Sequence, residues 1–185
     1  MSIRPLTFIT SSDNKLQEVE RLLGQQLLRA NVTLDEIQDI AIEPVVVHKA
    51  RQAYTQVQQP VLVEDTGLAF AAWNGLPGAL VKWFLAALGT EGLCRLLQGE
   101  VNRSATASTL FAHYDGNLIR VFTGAVDGII PLQPRGRSGF GWDAIFQPFG
   151  SVRTFAEMMP EEKDQFSMRR FALEQLRTSG LLDSR

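Results

Sequence analysis

The sequence is poor in three features that mark particular classes of protein: cysteine, long apolar runs and an excess of one charge. Cys94 is the only cysteine among 185 residues, so no disulfide can form within the chain, which favours a reducing compartment. The formal net charge of −2 argues against a protein that follows a polyanion along its length. No segment approaches a membrane span, and the N-terminus lacks the apolar core of a signal peptide. We therefore expect a cytoplasmic protein that acts without nucleic acid or membrane, in which any anion site is local.

The order of apolar patterns predicts an α/β fold. A length of 185 residues fits one domain, so we expect residues 1–185 to form a single unit. Strands are predicted at 6–10, near 32–34, and at 61–63, 105–114 and 118–127, and helices at 13–23, 45–57, 80–88, 90–97 and 160–176. Helices and strands interleave early, and a hairpin with an Asp115-Gly116-Asn117 turn follows late. This order favours a mixed β-sheet with flanking helices.

A small polar turn, Thr10-Ser11-Ser12-Asp13-Asn14-Lys15, joins the first predicted strand to the first predicted helix. Ser12 or Asp13 can cap that helix, and Lys15 falls in its first turn. Backbone amides, hydroxyls and one ammonium would then converge on one point, which is what a phosphate chain requires. The turn contains no glycine and is not a Walker loop. An ordinary capped helix start is the alternative interpretation.

Two adjacent carboxylates, Glu64 and Asp65, follow the apolar strand at 61–63. Polar groups at the end of a buried strand occupy the usual place of functional residues in open α/β sheets. Because successive strand side chains point to opposite faces, we expect at most one of the two to face a cleft, and Asp65 is the candidate. Its carboxylate can hold Mg²⁺ and orient or deprotonate a water. A strand-terminal turn cap is the alternative.

The segment Gly139-Phe140-Gly141-Trp142-Asp143 has the composition of a slot for a flat heterocycle. Its glycines let the backbone come close to a ligand. Its two rings offer faces for stacking, and Asp143 supplies acceptors for ring N–H groups. A glycine-rich turn with both rings in the core explains the segment equally well.

Several cations lie near these segments, and each alone is most simply a surface charge. Lys49 falls in the second predicted helix and Lys82 follows the Pro77-Gly78 loop. Lys163 lies at a helix N-terminus, where the dipole disfavours it, so an anionic partner would explain its position. Arg169, within the last predicted helix, can donate a bidentate pair to a base carbonyl or lie exposed.

In combination, these segments resemble the inosine triphosphate pyrophosphatase family, enzymes that remove deaminated purine nucleotides. The resemblance is carried, in order along nearly the whole chain, by Thr10 to Lys15, Leu34-Asp35-Glu36-Ile37-Gln38, Val63-Glu64-Asp65-Thr66-Gly67-Leu68, Gly75-Leu76-Pro77-Gly78, Phe140-Gly141-Trp142-Asp143, Thr154-Phe155-Ala156-Glu157-Met158, and Glu162-Lys163 through Ser167 and Arg169. The most specific blocks are Glu64-Asp65-Thr66-Gly67-Leu68 and Phe140-Gly141-Trp142-Asp143, in this order and with this spacing.

The resemblance implies an elongated mixed α/β fold with two lobes around a central nucleotide cleft, in a homodimer. It implies Mg²⁺-dependent hydrolysis of ITP, dITP or XTP to the monophosphate and pyrophosphate. Asp65 matches the family's general base and metal ligand, Glu36 matches its other metal ligand, and Lys15 is expected to assist catalysis. The implied triphosphate contacts are Thr10, Ser11, Ser12, Lys15, Lys49 and Lys163, and the implied base pocket contains Phe140, Trp142, Asp143 and Arg169. The remaining candidates for substrate binding are Lys82, Gly141, Ser167 and Met168.

Two positions depart from the family pattern. The first turn normally reads Thr/Ser-x-Asn-x-x-Lys, and Ser12 stands at the asparagine position. Its shorter hydroxyl loses a contact to the phosphates or reaches them through water. The second is a Ser-His-Arg segment in which Met168 replaces histidine; Met168 cannot donate a hydrogen bond and makes the pocket more apolar. We predict retained pyrophosphatase chemistry with relaxed or altered base choice.

Two other functions remain open at this stage. A nucleotide-binding sensor that has lost catalysis would explain the two departures, although the presence of Glu36, Asp65 and Lys15 argues against it. A pyrophosphatase for modified pyrimidines is the third hypothesis, and the Phe140–Asp143 segment argues against that one.

Overall fold

The chain folds into seven strands and five helices around one sheet within residues 6–182, the part that this computed structural model describes. The strands are β1 (Thr7–Ile9), β2 (Leu28–Ala30), β3 (Val61–Phe70), β4 (Pro77–Gly78), β5 (Ser104–Tyr114), β6 (Ile119–Ile129) and β7 (Gln147–Pro148). The helices are α1 (Asp13–Leu23), α2 (Ile42–Val57), α3 (Val81–Leu96), α4 (Pro160–Gln165) and α5 (Met168–Thr178). Short 3₁₀ turns lie at Ala71–Trp73, Asp143–Ile145 and Phe155–Glu157.

The sheet is mixed and open, which confirms the predicted fold class. Its strand order is β2-β1-β3-β5-β6-β7, with β4 paired to β3 outside this path. β1 pairs in parallel with β2 on one side and with β3 on the other, and every other pairing is antiparallel. The long β5–β6 hairpin around Asp115 is the one that the turn sequence predicts.

Helices cover both faces of the first half of the sheet because two apolar clusters lie there. One face packs on α1 and α5 through Phe8, Val19, Leu62, Phe111, Phe122, Ala172, Leu173 and Leu176. The other face packs on α2 through Ile9, Val46, Ala50, Ala53, Val61, Val63, Leu110 and Ala112. The apolar spacing within each helix matches the buried set, as expected for amphipathic helices on a sheet.

A third apolar cluster fills the other half of the molecule, where β3, β5 and β6 run past the first two clusters. It gathers residues of α3, the segment around Trp142 and the 3₁₀ turns, including Leu68, Phe70, Leu93, Leu97, Ile130, Trp142, Phe146 and Phe155. The middle of β3 therefore lies between two groups of helices. Helix α3 bends at Gly89, whose φ of 65° interrupts the helix and separates the two helical pieces that the sequence predicts.

Helix α1 begins and ends at the residues that the sequence indicates. The Ser12 hydroxyl accepts a hydrogen bond from the Lys15 amide at 3.3 Å, which is the N-cap interaction. Gly24 ends the helix with a φ of 69°, in the left-handed region that glycine adopts without steric cost. The N-cap therefore places Lys15 in the first turn of α1.

Three predicted boundaries were wrong. β2 lies at Leu28–Ala30, because those residues pair with β1, while 32–34 are outside any strand. β3 continues through its two carboxylates to Phe70, because β5 pairs with it along its whole length. The last predicted helix is two helices, since α4 ends at Gln165 and the Ser167 hydroxyl caps α5 by accepting the Arg170 amide at 3.3 Å.

None of the helices within residues 6–182 combines the length and the apolarity that crossing a membrane requires.

Candidate active site

A cavity of about 470 Å³ opens beside the middle of β3. β1 ends at Ile9, which pairs with Val63, and the chain then turns into α1. β3 continues, so that Glu64 and Asp65 lie just past the carboxyl end of β1. This is the crevice where open α/β sheets usually bind their ligands.

The cavity brings together almost all the candidates that the sequence singles out. Its walls include Thr10, Ser11, Ser12, Lys15, Glu36, Lys49, Asp65, Lys82, Phe140, Gly141, Trp142, Asp143, Lys163, Met168 and Arg169. Asp65, Lys15 and Trp142 thus share one opening, although they come from three distant parts of the chain. The exception is Ser167, which is fully buried and caps α5 instead of lining the cavity.

Two carboxylates at one end of the cavity share a lysine. Lys49 Nζ lies 3.1 Å from Asp65 Oδ2 and 3.2 Å from Glu36 Oε1. Lys82, from α3, donates to the other Glu36 oxygen at 2.8 Å. Burial opposes ionisation of Glu36, but the hydrogen bond from Lys82 and the charge of Lys49 outweigh it and lower the pKa of the carboxyl. Burial lowers the pKa of Lys49, but Asp65 and Glu36 outweigh it and raise that pKa. Glu36 and Lys49 are therefore both charged at neutral pH.

The oxygen atoms of Glu36 and Asp65 suit a hard cation. Within residues 6–182, no three His, Cys, Asp or Glu side chains form a group that could hold a metal ion unaided. Mg²⁺, however, is usually held by one or two carboxylates together with water and substrate phosphates. The position of a lysine ammonium between the two carboxylates shows that they already attract positive charge there. This pair fits a Mg²⁺ ion that a phosphate chain helps to hold.

The turn before α1 borders the same end of the cavity. The Thr10 hydroxyl accepts the Ser12 amide at 3.1 Å, and the Ser12 hydroxyl accepts the Lys15 amide. Both hydroxyls therefore act as acceptors within the turn, and their own hydrogens are left to donate outward. Arg29 of β2 braces the turn from outside by donating to the Thr10 carbonyl at 2.9 Å and to Asp13 at 2.6 Å.

A buried ionic network lies under the opposite end. Arg169 is 1% exposed, although an arginine on a predicted helix is most often a surface residue. It donates from Nε and Nη2 to Glu64 Oε1 at 3.2 and 2.7 Å, and from Nη1 to Glu18 Oε2 at 2.5 Å. Burial lowers the pKa of Arg169, but the two carboxylates outweigh it and raise that pKa above its ordinary value.

The two rings of the aromatic segment have different surroundings. Trp142 belongs to the core, since its ring packs 5.7 Å from that of Phe146 and 6.4 Å from that of Phe155, centroid to centroid. Phe140 is half-buried at the cavity, with Lys163 Nζ 5.0 Å and the Arg169 guanidinium carbon 5.8 Å from its ring centre. Phe140 thus borders the cavity beside two cations, while Trp142 packs in the core.

Asp143 and Lys163 form a pair beside the Phe140 ring. Asp143 Oδ2 accepts from Lys163 Nζ at 2.8 Å and from the Phe140 amide at 2.9 Å. Burial raises the pKa of the Asp143 carboxyl above its ordinary value, although Lys163 opposes the shift. Gly139 lets this carboxylate approach, because a Cβ at Gly139 would lie 2.2 Å from Asp143 Oδ2. The absence of a side chain at Gly139 therefore makes room for the Asp143 carboxylate, whereas the sequence predicts that it makes room for a ligand.

The model of the Ham1 family matches residues 6–179. The chain belongs to the Ham1 family. It is 44% identical over 177 residues to the inosine triphosphate pyrophosphatase of Yarrowia lipolytica, with 93% of each chain covered. It is 40% identical over 171 residues to the dITP/XTP pyrophosphatase of Thermococcus kodakarensis, which covers 91% of this chain and 92% of that one. The structure of a Ham1 protein from Coxiella burnetii superimposes with a TM-score of 0.80 at 29% identity, covering 94% of this chain and 96% of that chain.

The surroundings of two carboxylates, Glu64 and Glu18, were not predicted from the sequence of this Ham1 family member. Both residues of the Glu64-Asp65 pair border the cavity. The Glu64 side chain is 1% exposed and that of Asp65 is 16% exposed, so the expectation that Asp65 is the one that faces the cleft stays a prediction. The two side chains point to opposite sides: Glu64 contacts Arg169 of α5, whereas Asp65 contacts Lys49 of α2. Glu18 was not considered at all. Its spacing of three residues from Lys15 places both on one face of α1, and this was the available signal.

Proposed function

We propose that this protein hydrolyses deaminated purine nucleoside triphosphates, namely ITP, dITP and XTP, to the nucleoside monophosphate and pyrophosphate. The observation that carries the proposal is a single cavity with a stacking ring at one end and a carboxylate–lysine cluster at the other. The spacing suits a nucleotide whose base and phosphates must be recognised at the same time. The names of the relatives in Yarrowia lipolytica and Thermococcus kodakarensis support the same substrates.

The phosphate end would act mainly by neutralising charge. The turn at Thr10 to Lys15 and the ammonium of Lys49 would contact the phosphate oxygens, with Lys82 at the mouth. Glu36 and Asp65 would hold Mg²⁺, which supplies positive charge to the reacting phosphate and to the leaving pyrophosphate. Hydrolysis of a phosphoanhydride depends on such positioning and electrostatic stabilisation more than on covalent chemistry.

Asp65 would be the general base. Its Oδ2 is within hydrogen-bond distance of Lys49, and its Oδ1 accepts the Thr66 amide at 2.9 Å, so the carboxylate is held in place. A water beside Asp65 would attack the α-phosphorus and lose its proton to this carboxylate, while pyrophosphate leaves from the opposite side. Lys15 would offset the charge that develops on the α-phosphate.

The base end would select a 6-oxo purine. The base would stack on Phe140, and Arg169 would donate toward the oxygen at C6, with Asp143 accepting from ring N–H groups. Adenine presents an amino donor at C6, which would leave a buried donor of the pocket unpaired, and such sites reject the wrong analogue strongly. We assign Lys163 to this end as well, because its contacts with Asp143 and Phe140 lie here. This differs from the triphosphate contact that the family resemblance implies.

Three broader properties belong to the same proposal. We propose that residues 1–185 form one functional unit, which the family match over residues 6–179 supports. A homodimer follows from the family resemblance, and light scattering on a size-exclusion column measures it directly. A cytoplasmic location agrees with a single, buried cysteine.

The test is pyrophosphate release from a panel of purine and pyrimidine nucleoside triphosphates, with and without Mg²⁺. We expect the highest kcat/KM on ITP, dITP or XTP and a requirement for the metal. Asp65→Asn should reduce kcat by about a hundredfold or more, because general-base catalysis contributes about 10²–10⁴. Asp127→Asn is the matched control, since Asp127 is exposed on β6, where it accepts from Thr106, outside the cavity. Nucleotide binding without pyrophosphate release would instead favour the sensor hypothesis, and a preference for modified pyrimidines would favour the third.

A further inference from the structure

Glu64 is a buried carboxylate whose contacts reach both ends of the cavity. Its side chain is 1% exposed and directly precedes Asp65 in β3. Its Oε1 lies 3.7 Å from Lys15 Nζ and accepts two hydrogen bonds from Arg169. Lys15 belongs to the phosphate end and Arg169 to the base end, so one oxygen atom lies between the two cations.

The other oxygen of Glu64 makes this buried carboxylate a poor source of stability. Oε2 is buried and has no hydrogen-bond partner within the described residues 6–182. Leaving one oxygen of a buried carboxylate unpaired is unfavourable, and apolar residues often replace buried ion pairs at no loss of stability. The observed contacts of Glu64 are instead those of Oε1 with Arg169 and Lys15.

We propose that Glu64 is a positioning residue that sets the places of Arg169 and Lys15 for the reaction. It holds the guanidinium against the Phe140 ring and draws the ammonium toward the turn before α1, while its own side chain is too buried to contact substrate. The proposal rests on the assignment of Arg169 to base recognition in the proposed function. Because Glu64 and Asp65 are neighbours on one strand, β3 connects base recognition to the general base through a single peptide unit.

Glu18 does not duplicate this role. It accepts only from Nη1 of Arg169, and its other oxygen lies 3.6 Å from Lys163. Without the Glu64 carboxylate, Nε and Nη2 of Arg169 lose their acceptor, and the guanidinium is then free to turn about its bond to Glu18. The same substitution removes the ion pair between Glu64 and Lys15.

The experiment compares Glu64→Gln and Glu64→Asp with the wild-type chain. Hydrolysis of ITP and ATP gives the ratio of the two kcat/KM values, and calorimetry gives the Kd of inosine monophosphate, adenosine monophosphate and inorganic tripolyphosphate. For Glu64→Gln we expect the ITP/ATP ratio to fall about tenfold, within the range of discrimination that buried hydrogen bonds supply. The Kd of inosine monophosphate should rise by about the same factor, while tripolyphosphate binds as well or more tightly because the cavity has lost a negative charge. Glu64→Asp keeps the charge on a shorter side chain and should give an intermediate ratio.

Val61→Ala is the matched control for loss of stability. Val61 is the first residue of β3, is fully buried and belongs to the apolar cluster under α2. This variant should lower the melting temperature and leave the ITP/ATP ratio unchanged. A thermal melt shows whether Glu64→Gln folds. If it does not, Glu64→Asp is the test, and a fall of about threefold or more in its ITP/ATP ratio supports the proposal, since this is roughly the smallest change that a displaced hydrogen bond produces.

The proposal is overturned if the folded Glu64 variants keep both the ITP/ATP ratio and the preference for inosine over adenosine monophosphate. A wild-type protein that releases no pyrophosphate would contradict the proposed function instead. In that case the monophosphate affinities of the variants still test the role of Glu64, because binding requires no turnover.

Discussion

Met168 stands where the family resemblance leads one to expect histidine, at the proposed base end of the cavity. The side chain is 2% exposed and lines the cavity next to Arg169. A thioether accepts hydrogen bonds only weakly and donates none. A carbonyl at C6 of the base therefore receives no hydrogen bond from Met168. An amino group at C6 is also disfavoured less by Met168 than it would be by a hydrogen-bond donor at this position. The base choice of this enzyme should be broader than that of relatives with histidine.

Met168→His is expected to sharpen the choice. We expect the ITP/ATP ratio of kcat/KM to rise about tenfold, because the new imidazole donor is satisfied only by a 6-oxo base. Steady-state pyrophosphate release on the two substrates measures the ratio. Met158→Leu, a similar apolar exchange in the core near Phe155, is the control and should leave it unchanged. A strong wild-type preference for ITP that Met168→His does not alter would remove this explanation.

Ser12 caps helix α1 and also stands where the family pattern has asparagine. Ser12→Ala removes the acceptor for the Lys15 amide and should destabilise the protein by about 1 kcal/mol, the usual cost of losing an N-cap. Ser12→Asn keeps a capping oxygen, so its melting temperature should match the wild type within error. If Ser12→Asn also lowers the KM for ITP, the amide restores a phosphate contact that the shorter hydroxyl lacks. Thermal melts and initial rates on the same preparations separate the two effects.

At the scale of elements, helix α5 lies unusually close to the sheet. A Cβ at Gly124 of β6 would lie 1.9 Å from the Met168 carbonyl oxygen and 2.6 Å from the Ala172 amide. Backbone atoms cannot move aside as the end of a flexible side chain can. The absence of a side chain at Gly124 therefore allows the first turn of α5, with Met168 and Arg169, to reach the cavity.

Gly124→Ala should consequently displace α5. We expect a loss of stability of about 3 kcal/mol, at the upper end of the usual cost of overpacking, together with a rise in KM for ITP. Chemical denaturation and initial rates measure the two changes. Ala125→Ser, on the exposed side of the same strand, should change neither. A Gly124→Ala protein with wild-type stability would show that α5 can shift without cost.

The elements that the sequence predicts well are those whose determinants lie within a few residues. The capped start of α1, its end at Gly24 and the hairpin around Asp115 are of this kind. The length of β3 was missed because it depends on pairing with β5, whose residues lie far along the chain, as the register of Val61 with Tyr114 and of Phe70 with Ala105 shows. The break before α5 had a local signal, since serine is a preferred N-cap, but the apolar spacing concealed it.

The same distinction applies to the site. Asp65 could be predicted from the apolar strand before it and from the family resemblance. Glu18 and Glu64 could not, because their partner Arg169 lies 151 and 105 residues away along the chain. Their charge would have argued for a solvent-exposed face, and only the fold shows that the network is buried.

At the scale of the whole molecule, the lowered carboxyl pKa values make the free energy of unfolding depend on pH in the acid range. Glu36 and Glu64 have pKa values below the ordinary 4.5, so the folded chain binds fewer protons at these groups than the unfolded chain. Their contribution is complete above pH 4.5 and is lost as the pH falls through their lowered values. Asp143, with a raised pKa, acts in the opposite direction as the pH falls.

We expect the free energy of unfolding in urea to decrease below pH 4.5 and to decrease less steeply in Glu36→Gln. Urea titrations between about pH 3 and pH 7, the range in which carboxylates titrate, measure the slope. Glu91→Gln, which changes an exposed carboxylate paired only with Arg95, controls for the loss of one charge and should keep the wild-type slope. An identical slope in Glu36→Gln would contradict the prediction.

Each cation at the cavity already lies against a carboxylate: Lys15, Lys49, Lys82, Lys163 and Arg169. A polyphosphate that enters therefore meets a surface with no spare positive charge. It can bind only by displacing carboxylates from the existing ion pairs or by bringing its own counter-ion. On the proposed function, a nucleotide that arrives with its metal ion would give Glu36 and Asp65 a new positive partner and so release Lys49 to the phosphates. The free nucleotide would instead have to compete with these carboxylates for the lysine.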